Sequence, residues 1–373
     1  MSATAVQRVQ VSGAPYDRGA QLGRQAQERI GHTLALYRET FAHYTGLTWD
    51  EVCERSRAYL PAMEAYDSEL VPEIAGIAEG AGVGFDDILA INTRTEVMYG
   101  FSETMVAECT AFGARGSATA SGDVLIGQNW DWLPPASQSC IVLEAELPGR
   151  ASFVTFVEAG LLAKMGFNDA GIGLVANLLL TDEDRGDVGV PFHAVLRNVL
   201  AARSFGEAVA AVTRARRAAS GNYLIASADG ELADLEARPG GPEAVHRIDP
   251  TRDRVLHANN FCGPIGAASD RGIDTLPDSP RRTARIEQLL DQNHGRLDAE
   301  VAGEMLRDHD GAPSSICRHA DEGLAPLEGV LTIGSVVVEL SAARMNLAFG
   351  PPCENGYEAI VPEFARAGQA ASR

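Results

Sequence analysis

Residues 108–132 read ECTAFGARGSATASGDVLIGQNWDW, and this stretch decides the fold. Two strand-like runs, 109–115 and 123–130, flank the turn signal Ser-Gly-Asp at 121–123. The pattern predicts a β-hairpin. In such a hairpin the end of the second strand returns beside the start of the first strand, where Cys109 stands.

Cys109 occupies a position that suits a nucleophile. A cysteine attacks carbonyl carbons as its thiolate, which a neighbouring base or positive charge favours. The returning strand would bring Asp131 or Asn129 close to Cys109. If the chain were cut before Cys109, the freed α-amine, with an ordinary pKa of ~7.7–8.0, could serve as the base. A nearby carboxylate could then orient that amine.

The segment before the hairpin has helical character. Apolar residues recur at helical spacing over residues 15–100. Thr48 is a suitable N-cap for one helix. The pattern predicts that a last helix starts at Asp86 or Asp87 and runs to about Val97.

The segment after the hairpin is rich in strands. Two helices are predicted at 191–202 and 204–217, and two more at about 280–292 and 297–308. The further strand-like runs lie at 140–147, 152–158, 172–178, 222–228, 231–237, 243–248, 254–258, 331–340 and 344–349. Helices followed by strands around a central helical pair predict a layered α+β fold.

Composition excludes several classes of partner. The chain has 373 residues and a formal net charge of -20, so it lacks the basic excess that nucleic acids and anionic membranes attract. No apolar run reaches the ~18–20 residues that a spanning helix needs, and no signal peptide is visible. We therefore expect a cytoplasmic protein without nucleic-acid or membrane partners. Lys164 is the only lysine, a skew that we attribute to genome composition.

The cysteines other than Cys109 give no metal signature. Six cysteines are widely scattered, and no two form a C-x-x-C pair. The triplet Asp308-His309-Asp310 at a helix end is interpreted as a solvated loop. The sequence therefore predicts neither a metal nor a cofactor, and it predicts structural roles for four cysteines, namely Cys140, Cys262, Cys317 and Cys353.

The hairpin motifs resemble those of a known family. Glu-Cys-Thr-Ala-Phe at 108–112 and Gly-Gln-Asn-Trp-Asp at 127–131 resemble the isopenicillin N acyltransferase (acyl-CoA:6-aminopenicillanic acid acyltransferase) family. That family belongs to the self-processing N-terminal nucleophile hydrolases and is distantly similar to bile-salt hydrolases and penicillin V acylases. Five further blocks resemble the family in the same order, at 13–19, 73–79, 171–177, 257–260 and 315–318.

The resemblance implies a four-layer αββα sandwich with a helical N-terminal prosegment. It also implies self-cleavage between Glu108 and Cys109, giving a small subunit, 1–108, and a catalytic subunit, 109–373, that remain one folded unit. Family relatives often have glycine before the cysteine, where this chain has Glu108. The two segments carry net charges of -8 and -12, so opposite net charge cannot hold them together. We expect apolar packing to do so.

The resemblance also implies roles for individual residues. Cys109 would be the nucleophile, and Asp131 would orient its α-amine. Asn259 would donate to the oxyanion, and Arg318 would supply positive charge. Asn177 matches a position near the site in the bile-salt hydrolases. Three further residues are expected to contact substrate, namely Asn129, Trp130 and Ser315.

These residues predict a cysteine amidohydrolase or N-acyltransferase that works through a Cys109 acyl-enzyme. Its partner would be a small-molecule amide or acyl donor, with acyl-CoA as cosubstrate if the reaction is transfer, as in secondary metabolism. Two alternatives remain open. One is an uncleaved, non-catalytic binding protein, and the other is a peptidase with a Cys109–His257 pair. A homo-oligomer of cleaved heterodimers is also left open.

Overall fold

The structure, a computed structural model, describes residues 6–101, 108–321 and 323–366, apart from the side chain of Glu108. The prosegment and cleavage-site predictions therefore fall partly on residues outside the described ranges. Among the described helices, none combines the length and the apolarity that a bilayer crossing requires.

The N-terminal segment is helical after one strand, β1 (Gln7–Ser12). Thr48 caps α3 through a capping box with Glu51, as the sequence predicts. The predicted last helix is instead two helices, separated at Thr93. The seven helices are α1 (Pro15–Gln25), α2 (Gln27–Thr45), α3 (Trp49–Ser56), α4 (Leu60–Tyr66), α5 (Leu70–Ala81), α6 (Phe85–Asn92) and α7 (Arg94–Phe101).

The remainder of the described chain is mostly strands. The elements that follow are β2 (Glu108–Ala114), β3 (Leu125–Trp132), β4 (Cys140–Glu146), β5 (Phe153–Glu158), β6 (Met165–Asn168), β7 (Ile172–Leu178), α8 (Phe192–Leu200), α9 (Phe205–Thr213), β8 (Gly221–Ser227), β9 (Leu232–Ala237), β10 (Val245–Ile248), β11 (Arg254–His257), α10 (Arg271–Thr275), α11 (Ser279–Gln292), α12 (Ala299–Leu306), β12 (Leu331–Glu339), β13 (Arg344–Phe349) and β14 (Glu358–Ile360).

The strands form two sheets. The first has eight strands in the order β1-β4-β5-β6-β7-β8-β9-β10, and only its β1–β4 pair is parallel. The second has six antiparallel strands in the order β11-β2-β3-β12-β13-β14. The predicted hairpin is confirmed as β2 and β3, the second and third strands of the second sheet.

The sheets pack face to face between two helical layers. β7 of the first sheet contacts β2 and β3 of the second. α1, α2, α8 and α9 lie against the first sheet, and α11 and α12 lie against the second. Every residue of β3 and β7 is buried, as expected for strands covered on both faces. The predicted four-layer αββα sandwich is confirmed.

The two N-terminal sequence blocks pack against each other through glycines. A Cβ on Gly19 of α1 would lie 2.1 Å from the carbonyl oxygen of Glu73, and one on Gly76 of α5 would lie 2.0 Å from that of Tyr16. Both contacts are with backbone, which cannot swing aside. Glycine therefore allows the close approach of α1 and α5.

Buried ion pairs join the N-terminal helices to the rest of the protein. Glu73 lies between Arg18 at 2.8 Å and Arg197 of α8 at 3.0 Å. Arg94 of α7 pairs with Glu158 of β5 at 2.8 Å. Attachment of the N-terminal helices therefore includes specific buried charges as well as the expected apolar packing, although both segments are acidic.

Candidate active site

The register of the hairpin determines which groups surround Cys109. Cys109 pairs with Trp130, and Glu108 pairs with Asp131. Paired residues share a face of the sheet and successive residues alternate, so the side chains of Cys109 and Asp131 start on opposite faces of the hairpin. The register therefore places the predicted carboxylate one position from Cys109 on the adjacent strand, beside the backbone at the start of β2.

The Cys109 thiol lies in an environment that favours its neutral form. It is 2% exposed. Burial raises the pKa of this thiol to about 11; Lys164 and Arg282 offset part of the rise, and the charge of Asp131 adds to it. The thiol in this intact chain therefore needs a base to become a nucleophile.

Asn259 holds the backbone nitrogen of Cys109. Its Oδ1 accepts from the Cys109 N–H at 2.8 Å, and its Nδ2 donates to the Leu178 carbonyl at 3.0 Å. These partners fix the orientation of the amide. The observed contacts suit positioning of the Cys109 nitrogen, whereas the predicted oxyanion role would require Nδ2 to exchange its partner.

Arg282 of α11 contacts both Cys109 and Asn259. Its Nη1 donates to the Cys109 carbonyl at 2.7 Å, and its Nη2 donates to Oδ1 of Asn259 at 3.0 Å. Asp278 holds its Nε at 2.8 Å. Arg282 was not predicted from the sequence, although it lies four residues before Ile286 and so continues the buried stripe of α11, unlike the exposed Arg281 beside it.

Asp131 has one oxygen available. Its Oδ1 accepts from the Thr332 hydroxyl at 2.5 Å, whereas its buried Oδ2 has no hydrogen-bond partner among the residues the structure describes. Burial raises the pKa of Asp131 to about 7, against the lowering effect of Arg282. An unpartnered buried carboxylate oxygen is costly unless a donor arrives.

Lys164 is a second residue that the sequence analysis missed. It precedes β6, is 5% exposed, and places its Nζ 4.1 Å from the ring centroid of Trp130. Burial lowers its pKa to about 8, although the neighbouring Cys109 acts in the opposite direction. A single lysine inside an apolar run is a signal for a buried functional charge, and genome composition alone does not explain its position.

Arg318 does not contact Cys109 in any hydrogen bond that the structure shows, and it is linked to Cys109 through other side chains. Its Nη1 donates to Asp278 at 3.2 Å, the carboxylate that also holds Arg282. Its backbone N–H donates at 2.8 Å to Thr332, the partner of Asp131. Burial lowers the pKa of Arg318 to about 10. Through these contacts Arg318 supports the groups that touch Cys109.

The residues predicted to contact substrate have internal contacts here. Asn129 donates to the carbonyls of Leu306 and Ile316, both at 2.8 Å. The Ser315 hydroxyl donates to the Cys317 carbonyl at 2.6 Å. Trp130 is fully buried. These contacts support the site internally, and contact with a substrate stays a prediction for all three residues.

Asn177 differs from these three residues, because its side-chain amide makes no hydrogen bond with the described residues. It is fully buried at the end of β7, next to Leu178, whose carbonyl binds Asn259. Neither its Oδ1 nor its Nδ2 has a hydrogen-bond partner among the described residues. Such a buried amide is a candidate ligand group for a substrate.

His257 does not form the alternative catalytic pair. Its Nδ1 lies 2.8 Å from the Ala258 carbonyl, and its Nε2 lies 2.8 Å from Oε1 of Glu236. Burial lowers the pKa of His257, but Asp234 and Glu236 outweigh that effect and raise it to about 9. With both ring nitrogens engaged and the ring favoured in its charged form, His257 is a poor base for Cys109.

The fold consists of two facing sheets between helical outer layers, which is the αββα sandwich of the N-terminal nucleophile hydrolases. A cysteine, Cys109, stands near the start of β2. The family model of acyl-coenzyme A:6-aminopenicillanic acid acyl-transferase matches residues 117–353. The 40 kDa form of the acyl-coenzyme A:6-aminopenicillanic-acid-acyltransferase of Emericella nidulans is 30% identical over 357 residues, which cover 96% of each chain. The chain therefore belongs to this acyltransferase family, a family of enzymes.

Solved structures with lower identity are also similar. A mutant of conjugated bile acid hydrolase from Clostridium perfringens has a TM-score of 0.46 and 14% identity, covering 68% of this chain and 92% of its own. Penicillin V acylase from Agrobacterium tumefaciens has a TM-score of 0.40 and 14% identity, covering 65% and 83%.

Proposed function

We propose that this protein is a self-processing cysteine N-terminal nucleophile enzyme that cleaves or forms an amide bond of a small N-acyl compound. The observation that carries the proposal is the arrangement at Cys109. Asn259 holds its backbone nitrogen, while the buried Oδ2 of Asp131, on the paired strand, has no donor among the described residues. This arrangement suits a free α-amine, which has more hydrogens to donate than an amide.

Processing would use the same thiol. The Cys109 sulfur adds to the carbonyl carbon of Glu108, and the carbon–nitrogen bond breaks to give a thioester and an amine. Water then hydrolyses the thioester, which leaves a carboxylate on Glu108 and a free thiol on Cys109. Arg282 favours this step because it fixes the Cys109 carbonyl, and with it the strand next to the scissile bond.

Turnover would start from the new terminus. The α-amine removes the thiol proton, the sulfur attacks the acyl carbonyl, and the protonated amine gives the proton to the leaving group. Asn259 and Asp131 orient the amine. We assign the oxyanion donor to the amide of Asn177, which has no partner among the described residues, because Nδ2 of Asn259 is engaged by the Leu178 carbonyl.

The acyl group then passes to water or to an amine. Hydrolysis of an amide needs only water as acceptor. A second candidate, acyl-CoA-dependent transfer to an amine, is favoured by the whole-chain similarity to the Emericella nidulans enzyme, whose name states that reaction. Both candidates share the Cys109 acyl-enzyme.

A panel of N-acyl amides and acyl-CoAs, each tested with and without 6-aminopenicillanic acid, distinguishes the candidates. We expect a product from at least one donor class and an acyl mass on Cys109 during turnover. Free acid without an amine acceptor indicates hydrolysis, and an N-acyl product indicates transfer. A protein that binds donors without acylation or turnover would contradict the proposal and favour the non-catalytic alternative.

Lys164 supplies a first prediction on the mechanism. Its positive charge lowers the pKa of Cys109, so Lys164→Met should raise that pKa and shift the alkaline-rising limb of kcat/KM to higher pH. We expect kcat/KM at pH 7 to fall about tenfold, on the scale of about 1.4 kcal/mol for a lost buried charge interaction.

The same substitution should stabilise the fold at pH 7. The pKa of Lys164 is about 8 in the folded chain and ~10.4 when unfolded. Carrying the charge is therefore unfavourable for folding at pH 7, and stability should rise as pH increases from about 8 to about 10. A variant that is less active but melts at a higher temperature fits this role. Lower stability with an unchanged pH profile would assign Lys164 a purely structural role.

A further inference from the structure

Four metal-ligating side chains converge outside the Cys109 site. His309, Cys317 and His319 belong to the loop between α12 and β12, and Cys353 follows β13. Their ligand atoms all lie within 4.8 Å of one another. Both cysteines are free.

Four of the six distances between these atoms are close to the edges of a zinc tetrahedron. His309 Nε2 lies 3.2 Å from His319 Nε2, and the sulfurs of Cys317 and Cys353 are 3.5 Å apart. Nε2 of His319 lies 3.8 Å from the sulfur of Cys317 and 3.2 Å from that of Cys353. Tetrahedral Zn²⁺ with ordinary bond lengths requires edges of about 3.4 Å between nitrogens, about 3.6 Å between nitrogen and sulfur and about 3.8 Å between sulfurs.

We propose that His309, Cys317, His319 and Cys353 form a structural Zn²⁺ site. Two thiolates and two neutral imidazoles balance the charge of the ion, and binding releases the two thiol protons. Four protein ligands leave no open position for a substrate or water, which is the pattern of structural zinc. The inference stands independently of the proposed catalytic function.

A neighbouring carboxylate supports the assignment. Oε1 of Glu354 lies 3.4 Å from Nδ1 of His319. A carboxylate at one ring nitrogen favours the tautomer that presents the other nitrogen to a metal. The nearby Cys317 N–H donates to the Asp308 carbonyl at 2.9 Å, which fixes the backbone beside a ligand.

The site would fix a loop that supports the active site. Arg318 stands between two of the ligands and pairs with Asp278, which also holds Arg282 against Cys109. The Ile316 carbonyl, just before a ligand, accepts from Asn129 of β3. Zinc would therefore position this loop, without taking part in the chemistry.

The sequence alone predicts other roles for these residues. It predicts structural roles for Cys317 and Cys353, and a solvated loop that contains His309. One ligand is 34 residues beyond the nearest of the others, so no short motif contains the set. Only the fold, through the β12–β13 hairpin, brings Cys353 to the loop.

Elemental analysis of the full-length, untagged protein, purified without chelator and dialysed after addition of Zn²⁺, tests the site. We expect about one zinc per chain, with X-ray absorption showing two sulfur and two nitrogen ligands. Cys353→Ser should lose most of the metal. Cys262→Ser, at another exposed cysteine that lies near Glu236 and His257, should retain it.

Glu354→Gln provides a test that removes no ligand. We expect zinc affinity, measured by competition with a chelator, to fall about tenfold or more. The proposal is overturned by a zinc-free wild-type protein, by equal zinc content in Cys353→Ser, or by a mass two hydrogens below that of the reduced chain, which would indicate a Cys317–Cys353 disulfide.

Discussion

Cys109→Ala should leave the chain as a single uncut polypeptide without measurable turnover. The substitution removes the only atom that we assign to attack both the Glu108 carbonyl and the substrate. In enzymes whose catalytic groups act as a unit, loss of the nucleophile costs about 10⁶-fold in kcat. Denaturing electrophoresis and an activity assay measure the two effects separately.

Two further cysteine variants test the same prediction. Cys109→Ser keeps a weaker nucleophile and should slow both processing and turnover. Cys53→Ser, in α3 of the N-terminal segment, should leave both unchanged. Cleavage of Cys109→Ala at the same bond, or full turnover by it, would place the nucleophile elsewhere.

Asp131→Asn should reduce kcat by about 10³-fold or more while the fold is retained. The neutral amide can still accept from Thr332 but cannot provide the charged acceptor that a protonated α-amine requires. In a comparable case, replacing the carboxylate that orients a catalytic base lowers kcat by about 10⁴-fold. Kinetics on the processed variant give the measurement.

In the uncut chain, as Cys109→Ala would preserve it, Asp131→Asn should raise the stability at pH 8, because no free α-amine faces the carboxylate there. The pKa of Asp131 rises from an ordinary value of 3.8 to about 7 in the folded chain. Stability should therefore fall as pH rises from about 4 to about 7, because the unfolded chain releases this proton first. At about 1.4 kcal/mol per tenfold change in proton affinity, the buried charge costs about 4 kcal/mol above pH 7.

Asp234→Asn is the matched control for this prediction. Asp234 is also fully buried, also has an unpartnered Oδ2 among the described residues, and has a pKa raised by burial to about 6. It lies beside His257, to which no catalytic role is assigned, so activity should stay within about threefold. Normal kcat in Asp131→Asn, or unchanged stability at pH 8 when the substitution is made in the uncut Cys109→Ala chain, would contradict the assigned role.

Much of the fold follows from local sequence. Alternation and the turn at 121–123 predict the β2–β3 hairpin, and its register then brings Asp131 to the start of β2. Caps such as Thr48 set helix ends through local hydrogen bonds. These features could be predicted because each depends on residues close together in the chain.

Other elements depend on partners far along the chain. β1 has alternating polar residues and gains its place by parallel pairing with β4, more than 130 residues away. The last helix predicted for the N-terminal segment breaks at Thr93, and Arg94 after it pairs with Glu158. Local periodicity contains no information about such partners.

The residues of the candidate site likewise fall into two groups, those that local motifs predict and those that only the fold brings to the site. Motifs next to the hairpin contain Cys109 and Asp131, whereas Arg282 and Lys164 reach the site from α11 and from the start of β6. Their charges are buried against ordinary sequence preference. Positions where a sequence violates local rules are often functional, and the lone lysine was such a position.

Intact-mass analysis of the purified wild-type protein, before and after a brief exposure to a turnover donor, tests the central claim most directly. We expect two fragments, residues 1–108 and 109–373, that co-elute under native conditions and at high salt. We also expect the acyl mass to appear on the larger fragment, at Cys109 by peptide mapping. An active protein of one uncut mass, or an acyl group on another residue, would contradict this claim.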